Sequence, residues 1–395
     1  MLPRTGSDVV EEARRFAHGH PIDEGVGAGV EAPDVVPVPA LVHDYLLVLR
    51  GAERVFAAMA GIWPEAPVYS LLYDPEGMEA RLAGRSVTTS ALQRLNLRQG
   101  NFRRMLPLLP AAADRLGRGR HELVVSSSSA FAHRVAPSPG GVHVCYCHSP
   151  FRYAWHERDR AATEVPRLAA PVVERMLDRI RTSDARAAAA VTHFVANSRI
   201  TQQRIAEFWG RDSVVIHPPV EVDRFAPAAP EDWFLCVGEL VAHKRHEAAL
   251  EAARRAGVKV KVVGTGPERR RLEALYGDTA EFLGRVGDRE LEELYPRARA
   301  FIVPNVEEFG IAAVEAQAAG RPVLAIDGGG VRETVVDGIT GVLVPDDDAM
   351  AQALRDVDFE RFDPELAVLQ AGAFSTASFQ AKLEREVERA WRSMR

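Results

Sequence analysis

Cysteine, long apolar runs and an excess of basic charge are all scarce or absent in this sequence. Its three cysteines, an odd number with no C-x-x-C spacing, give no disulfide framework and no zinc-binding signature. No run of about eighteen apolar residues occurs, and residues 1–16 lack the apolar region of a signal peptide. The formal net charge of -6 at pH 7 argues against general binding of nucleic acid. We therefore expect a cytoplasmic protein with no nucleic-acid partner.

Length and composition allow two globular domains. Hydrophobic residues make up 47% and charged residues 26% of the 395 residues, which is enough for two sizeable cores. Residues 1–36 are rich in Gly, Pro and acids, so they are predicted to be an N-terminal extension without an assigned function. Prolines between Pro218 and Pro230 indicate a linker. The predicted domains are 37–220, joined by a C-terminal helix at 375–395, and 221–374.

Short apolar runs alternate with helical segments in both halves, a pattern typical of parallel α/β sheets. The predicted strands of the first half are Ala40–Val42, Val68–Leu72, Leu123–Ser126, Val142–Cys147 and His193–Ala196. Those of the second half are Trp233–Val237, Val258–Val263, Glu281–Leu283, Ala300–Pro304 and Val323–Ile326. The sequence predicts an α/β protein with two doubly wound, Rossmann-like domains that face each other across a cleft.

The stretch Ala300–Pro345 contains the most informative pattern, a helix between two buried strands. Glu307 lies in the loop before the helix, and Glu315 lies one turn inside it. Exposed amides at a helix N-terminus bind anions, and a carboxylate on each side suits hydroxyl groups. The pattern therefore predicts a site for a nucleotide-sugar. A pair of glutamates eight residues apart is also expected by chance in a chain of this composition. From the spacing alone, Glu307 and Glu315 could equally be ordinary surface residues.

Other candidates follow predicted strands of the second half. Gly264 and Gly266 lie between a strand and a helix, but without a third glycine they do not form a dinucleotide fingerprint. They predict either a tight turn or a loop that a ligand approaches closely. Lys244 or Arg245 could neutralise a diphosphate, or could simply begin a solvated helix.

In the first half, His148 ends a predicted strand. It is a candidate for polar contact with the molecule that accepts the sugar, or for proton transfer. His43, with Asp44 beside it, is predicted to occupy the same place at the end of the first strand. Gly51 and Ala52 begin a helix whose amides could contact the donor phosphates.

Residues 92–120 contain seven arginines and one acid, Asp114. Such a basic amphipathic patch could contact an anionic membrane surface. The alternative is a solvated face near an acceptor cleft.

Taken together, these motifs resemble the retaining glycosyltransferases of family 4, which have the GT-B fold, and in particular the branch that forms mannosyl linkages in bacterial polysaccharides. The likeness extends roughly from Leu41 to Trp391. The first half matches through HDYL, RGAERV, LVVSSSSAFAHRV, CYCHSPFRYAW and VANSRITQQRI. The second half matches through FLCVGELVAHKR, VVGTGPERRRL, FLGRVGDRELEELY and EEFGIAAVEAQAAGRPVLAIDGGGVRETVVDGITG.

The resemblance implies roles for residues of the second half. Glu315 would bind the ribose hydroxyls of the nucleotide. Glu307, with Phe309 and Gly310, would hold the transferred sugar near its reacting carbon. The remaining donor contacts would come from the amides of Ile311 and Ala312, from Lys244, and from Leu283–Val286, which includes Gly284 and Arg285.

The resemblance also implies the reaction. A sugar would move with retention at its anomeric carbon, without a metal ion and without a covalent nucleophile. His148 would lie on the acceptor side, where the family keeps a catalytically important histidine. Stabilising the departing diphosphate would be the main electrostatic task.

Two positions depart from the family pattern. Glu239 stands where the family usually has an arginine that grips the diphosphate, and a carboxylate there would repel the leaving group. Relatives commonly carry two glycines where this chain has Gly51 and Ala52, and the added methyl group of Ala52 could restrict how closely the backbone approaches the sugar or acceptor. The cations considered as substitutes for the missing arginine are Arg245, Lys259 and Arg332.

Three functions remain open from the sequence. The first is a retaining glycosyltransferase that uses a nucleotide-diphosphate sugar, with GDP-mannose as first choice, and a hydroxyl acceptor on a lipid-linked glycan or a small metabolite. The second is a nucleotide-sugar-binding protein without activity, because of Glu239. The third is an epimerase or phosphorylase with the GT-B fold. No cofactor or metal is expected.

Overall fold

The computed structural model describes residues 35–95, 97, 101–158 and 169–395. The predicted extension 1–36 therefore lies outside the described residues except for positions 35 and 36. Residues 96 and 98–100 of the predicted basic patch also lie outside them.

The strands of the described chain form two wholly parallel sheets, one of seven and one of six strands. The first sheet contains β1 Ala40–Leu46, β2 Val68–Tyr73, β3 Val87–Thr89, β4 Leu123–Ser128, β5 Val142–Cys147, β6 His193–Ala196 and β7 Val214–Val215. The second contains β8 Phe234–Val237, β9 Val260–Val263, β10 Ala280–Gly284, β11 Phe301–Val303, β12 Val323–Ile326 and β13 Gly341–Val344.

Helices connect the parallel strands. They are α1 Gly51–Ile62, α2 Leu109–Ala113, α3 Ala170–Ala189, α4 Arg199–Trp209, α5 His246–Ala256, α6 Arg269–Tyr276, α7 Asp288–Arg297, α8 Ile311–Ala318, α9 Val331–Thr334, α10 Asp347–Asp356, α11 Pro364–Gly372 and α12 Thr376–Arg392. Short 3-10 turns lie at Ala91–Leu95, Phe102–Met105, Ala132–Arg134, Val222–Arg224, Ala242–Lys244 and Phe359–Arg361.

The described chain divides into two compact units. The first unit comprises Val35–Pro219 and Phe379–Arg395, and the second comprises Val220–Ser378. Each unit contains one sheet. Helical crossovers join its parallel strands and cover both faces of the sheet. The predicted α/β class with two Rossmann-like domains is confirmed.

Helix α12 begins in the second unit and continues in the first. Its apolar stripe of Phe379, Leu383, Val387 and Trp391 is buried in the core of the first sheet, as the four-residue spacing predicts. Gln380 Nε2 also donates to the Ala58 carbonyl of α1 over 2.8 Å. The C-terminal helix therefore belongs to the core that the N-terminal half builds.

Both sheets reverse their strand order at one internal point. The first sheet has the order β3-β2-β1-β4-β5-β6-β7, and the second has the order β10-β9-β8-β11-β12-β13. The reversals lie between β1 and β4 and between β8 and β11. In open α/β sheets, ligands bind beyond the carboxyl ends of the strands at such a point. Each unit therefore offers one edge at which a ligand site is expected.

Candidate functional site

The loops after β8 and β9 and the last residue of β10 touch through glycines. Gly264 follows β9 with a φ of 136°, and a Cβ atom there would lie 1.8 Å from the Gly238 carbonyl oxygen. The Gly264 amide donates to the Gly284 carbonyl over 2.7 Å, and Gly284 has a φ of 78°. Side-chain-bearing residues rarely adopt these φ values. Glycine at these positions lets the two loops and the end of β10 pack backbone against backbone. Donor contacts by Gly264 and Gly284 remain a prediction.

Lys244 and Glu307 form an ion pair at the reversal point of the second sheet. Lys244 Nζ lies 2.6 Å and 2.8 Å from the two Glu307 carboxylate oxygens. The side chains are 29% and 25% exposed, so a ligand can still reach them. Asn305 Nδ2 also donates to Glu307 Oε1 over 3.0 Å. Burial favours the neutral acid, but the Lys244 ammonium and the Asn305 amide outweigh it and lower the pKa of Glu307 below its usual value.

The loop that carries Glu307 is held against the glycine run after β12. The Gly330 amide donates to the Glu307 carbonyl over 2.8 Å. A Cβ atom at Gly330 would lie 2.2 Å from Phe309 Cα, so only glycine permits this approach. Phe309 is buried against Phe374, with ring centroids 5.4 Å apart. This packing fixes the backbone from which α8 begins.

Helix α8 begins after a left-handed glycine. Gly310 has a φ of 89°, and Ala313 is the first α8 residue to donate within this turn, to the Gly310 carbonyl over 3.0 Å. The amides of Ile311 and Ala312 precede the point at which intrahelical acceptors become available. A negatively charged group is stabilised at such a position by the amides and the helix dipole. The predicted diphosphate position therefore has the geometry of an anion site.

Glu315 lies in α8 and accepts a hydrogen bond from Tyr295 of α7. The Tyr295 hydroxyl donates to Glu315 Oε2 over 2.8 Å, and the tyrosine ring is buried. Burial, followed by the Glu315 charge, raises the pKa of Tyr295 well above its usual value, so the hydroxyl remains a donor. Sequence reasoning missed Tyr295, although a buried tyrosine hydroxyl normally has a partner.

We expect Tyr295→Phe to weaken nucleotide binding about two- to tenfold, which corresponds to about 0.4–1.4 kcal/mol, the net contribution of one ordinary hydrogen bond. Without the hydroxyl, the Glu315 carboxylate loses the contact that orients it. Titration calorimetry with the free nucleoside diphosphate measures the change. Tyr276→Phe is the matched control, because the Tyr276 hydroxyl donates to Glu251 over 3.2 Å in the same unit. Equal losses of affinity in the two variants would contradict the role of Tyr295.

Glu239 is exposed in the loop after β8, near the predicted leaving group. Lys259 cannot take the place of the arginine that is missing at this position, because it precedes β9 and lies at the amino end of the sheet. Lys259 Nζ donates there to the Asp278 carbonyl over 2.5 Å. The strand predicted at Val258–Val263 starts too early, because β9 begins only at Val260. Lys259 therefore cannot neutralise charge at the carboxyl edge.

The other two considered cations already have acidic partners. Arg245 Nη2 lies 2.7 Å from Asp347 Oδ2, and its Nη1 donates to a backbone carbonyl. Arg332 Nε lies 2.6 Å from Asp327 Oδ1 in an exposed pair. Lys244 also has an acidic partner, but that partner is Glu307, the predicted sugar-binding acid, so Lys244 is the cation that the geometry places in the predicted donor site. Arg285 is exposed after β10, and its contact with the donor stays a prediction.

In the first unit, one serine hydroxyl joins two predicted site histidines. Ser127 Oγ lies 3.0 Å from His43 Nδ1 and 2.8 Å from His148 Nε2, and all three residues are buried. Burial lowers the pKa of both histidines to about 3, so both rings are neutral at pH 7. His148 directly follows β5, as predicted.

His43 does not end its strand, so that prediction is wrong. β1 continues to Leu46, because Tyr45 and Leu46 still pair with Leu72 and Tyr73 of β2. The pairing of β1 with β4 ends near His43, which lies opposite Ser127. His43 therefore lies where the pairing of β1 with β4 ends and its pairing with β2 continues.

Asp44 holds the loop after β4. Its two carboxylate oxygens accept backbone N–H groups from four consecutive residues at distances of 2.6 to 2.9 Å, and Ser129 Oγ at 3.2 Å. A carboxylate has about four lone-pair positions, and these donors occupy them. An acceptor contact by Asp44, as predicted from its sequence position, would have to break one of these bonds.

Helix α1 begins at Gly51, and its first turn contains an acid that sequence reasoning missed. Glu53 Oε2 accepts the Arg50 amide over 3.1 Å. Burial raises the pKa of Glu53 to about 7, although the Arg50 backbone and side chain oppose the shift. The Gly51 and Ala52 amides lie in the same turn, where a ligand anion would compete with this carboxylate.

We expect the stability that Glu53 contributes to decline as the pH rises from about 4.5 to about 7. The folded protein binds more protons than the unfolded chain in that window, so unfolding becomes easier as protons leave. Relative to Glu53→Gln, the wild type should lose about 1–3 kcal/mol across it. Unfolding midpoints at pH 5 and pH 8 measure the difference, with the exposed Glu76→Gln as control. Parallel pH profiles for wild type and Glu53→Gln would contradict this prediction.

Among the residues that the structure describes, no group of three or more His, Cys, Asp or Glu side chains could hold a metal ion. In the same part of the chain, no helix is both long and apolar enough to cross a membrane. The basic patch is broken into short turns and α2, with Leu95 and Leu108 more than half exposed.

Comparison with known proteins gives matches over both units. Residues 49–224 match the family model described as Glycosyltransferase Family 4. Residues 221–358 match the model described as Glycosyl transferases group 1.

Curated relatives match over shorter lengths. The D-inositol 3-phosphate glycosyltransferase of Geodermatophilus obscurus is 36% identical over 228 residues, which cover 47% of this chain and 50% of that protein. A Corynebacterium glutamicum protein is 29% identical over 223 residues, which cover 48% of this chain and 58% of that protein. Its name is GDP-mannose-dependent monoacylated alpha-(1-6)-phosphatidylinositol monomannoside mannosyltransferase. The chain thus spans about half the length of the curated relatives it matches.

A solved structure shares the fold of both units. The crystal structure of Anabaena Alr3699/HepE in complex with UDP aligns with a TM-score of 0.65 at 17% identity, covering 89% of this chain and all of that one. The likeness confirms the GT-B type of fold.

Proposed function

Since the chain belongs to glycosyltransferase family 4, we propose that it transfers a sugar from a nucleotide-diphosphate sugar to a hydroxyl group. The observation that supports this most is the arrangement around α8. Glu307, which pairs with Lys244, precedes the helix N-terminus, and Glu315, which accepts from Tyr295, lies inside the helix. Amides for a diphosphate and carboxylates for sugar hydroxyls are thus supplied by one short segment.

In the proposed reaction, the bond between the anomeric carbon and the diphosphate oxygen breaks. The acceptor oxygen bonds to the same face of that carbon, and its proton passes to the departing phosphate oxygen. Negative charge grows on the leaving group, where the Ile311 and Ala312 amides and the Lys244 ammonium would stabilise it. Glu307 would accept hydrogen bonds from hydroxyls of the transferred sugar. We expect no metal ion to take part.

The proposed donor is GDP-mannose, in line with the name of the Corynebacterium relative. A UDP-sugar is the alternative, since the Anabaena neighbour was crystallised with UDP. The proposed acceptor is a hydroxyl group of a lipid-linked glycan or of a small metabolite.

A thermal-shift screen with GDP-, UDP-, dTDP- and ADP-sugars tests the donor. A ligand at a hundred times its Kd should stabilise the protein by about 2.7 kcal/mol. Glu315→Ala should abolish the shift, since it removes the predicted ribose contact. Absence of a shift with every donor would contradict the proposal.

Product analysis separates the other functions. Binding without nucleotide release, when candidate acceptors are supplied, would favour the inactive binding protein suggested by Glu239. A requirement for inorganic phosphate, or an epimerised sugar, would favour a phosphorylase or an epimerase.

We also propose weak peripheral membrane contact through residues 92–120 and a cytoplasmic location. The exposed Leu95 and Leu108 side chains, interspersed with arginines, support the contact. Sedimentation with anionic and neutral liposomes tests it, and equal recovery with both would contradict it.

A further inference from the structure

Three consecutive serines of β4 each contact a buried histidine. Ser126 Oγ lies 2.8 Å from His143 Nε2, Ser127 Oγ lies 2.8 Å from His148 Nε2, and Ser128 Oγ lies 3.2 Å from His133 Nδ1. Ser127 differs from its neighbours in joining a second histidine, His43, at the reversal point of the first sheet. The series therefore contains one serine placed at the expected ligand edge and two chemically matched serines in the same strand.

The surroundings hold the His148 ring in one place. Its amide donates to the Ser128 carbonyl over 2.8 Å, and its carbonyl accepts the Thr201 hydroxyl over 3.1 Å. The Tyr146 ring packs against it with centroids 5.3 Å apart. Nε2 is therefore fixed toward Ser127, and Nδ1 is the ring nitrogen that remains for other contacts.

Counting protons limits the bonds through Ser127 to two directions. A hydroxyl has one hydrogen and each neutral imidazole has one N–H, so Ser127 donates to one ring and accepts from the other. The Ser127 backbone also accepts from the His43 ring, which favours a proton on the His43 side. With that proton on His43, the Ser127 hydroxyl donates to His148 Nε2. A neutral ring that accepts at Nε2 must carry its proton at Nδ1.

We propose that Ser127 is a positioning residue that fixes His148 in the Nδ1–H tautomer, so that His148 donates a hydrogen bond and does not act as a base. The role of His148 toward substrate rests on the proposed function. In that reaction the acceptor proton passes to the departing phosphate, so no basic histidine is needed. The Nδ1–H group would instead bind a hydroxyl oxygen of the acceptor or of the transferred sugar, and hold it in place.

The first test is independent of activity. Nitrogen-15 NMR of histidine-labelled full-length protein, with His148 assigned through His148→Gln, reports which ring nitrogen carries the proton. We expect the Nδ1–H tautomer in the wild type and in Ser127→Thr, which keeps the hydroxyl. Ser127→Ala should give a mixture of tautomers, whereas Ser126→Ala and Ser128→Ala should leave the His148 signals unchanged.

An Nε2–H ring in the wild type would overturn the proposal, as would an unchanged tautomer in folded Ser127→Ala. If Ser127→Ala does not fold, the wild-type and Ser127→Thr spectra still decide. Absence of turnover with every donor would contradict the proposed function but would leave the tautomer measurement intact.

The second test uses kinetics. Ser127→Ala should lower kcat about five- to tenfold with little change in KM for the donor, and Ser127→Thr should restore most of it. Ser126→Ala should stay within about twofold of the wild type. His148→Asn, whose amide overlays the Nδ1 position, should retain more activity than His148→Gln. The reverse order for the two His148 variants would contradict donation from Nδ1.

Discussion

Replacing Lys244 with alanine is expected to slow sugar transfer at least tenfold, which corresponds to about 1.4 kcal/mol of transition-state stabilisation. The change removes the cation beside the predicted leaving group. It also leaves Glu307 without the ammonium that contacts both of its oxygens. A lone carboxylate near a departing diphosphate repels it, so the two losses act in the same direction. Initial rates of nucleotide release at saturating donor measure the effect.

Lys259→Ala is the matched control for this variant. Lys259 lies in the same unit but precedes β9, at the opposite end of the sheet. Its removal should leave transfer within about twofold of the wild type. Equal rates for Lys244→Ala and the wild type would contradict the assignment of Lys244 to the leaving group.

Gly264→Ala is expected to lower the free energy of unfolding by about 2–5 kcal/mol and to abolish donor binding. The residue has a φ of 136°, and the added methyl group would lie 1.8 Å from the Gly238 carbonyl oxygen. Neither the methyl group nor the backbone oxygen can move without separating the loops after β8 and β9. Thermal unfolding and donor titration calorimetry measure the two effects.

Gly338→Ala is the control that separates the cost of backbone strain at a positive φ from the cost of steric overlap with a neighbouring loop. Gly338 has a φ of 76°, but a methyl group there would meet nothing within 4 Å. It should therefore show only the backbone cost, about 1–2 kcal/mol, and should bind donor normally. A similar loss of stability in both variants would show that the contact between the loops is unimportant.

The sheets were largely predictable because parallel strands are buried on both faces and appear as continuous apolar runs. The predicted bounds of Val142–Cys147, His193–Ala196 and Val323–Ile326 match the observed strands. Polar strand ends were less predictable. β1 continues through His43 and Asp44 because β2 supplies partners there, and a partner strand is not visible in the local sequence.

The site was predictable in its positions but not in its contacts. Loops after parallel strands identify Glu307, Lys244 and His148 as neighbours of a sheet edge. The Lys244–Glu307 pair, however, joins residues 63 positions apart, and Ser127 contacts His43 across 84. Side chains so far apart meet only after the strand order is known. Ser127 therefore looked like one member of a serine run, and Tyr295 looked like an ordinary helix residue.

Helix α12 has a consequence for biosynthesis. The core of the first unit includes Phe379, Leu383, Val387 and Trp391, which the ribosome adds only after the whole second unit. The N-terminal half therefore leaves the ribosome with part of its apolar surface uncovered, while the second unit can complete its core earlier. We therefore expect the second unit to complete its core before the first, although it is synthesised later. The N-terminal half is the one that should depend on chaperones during translation.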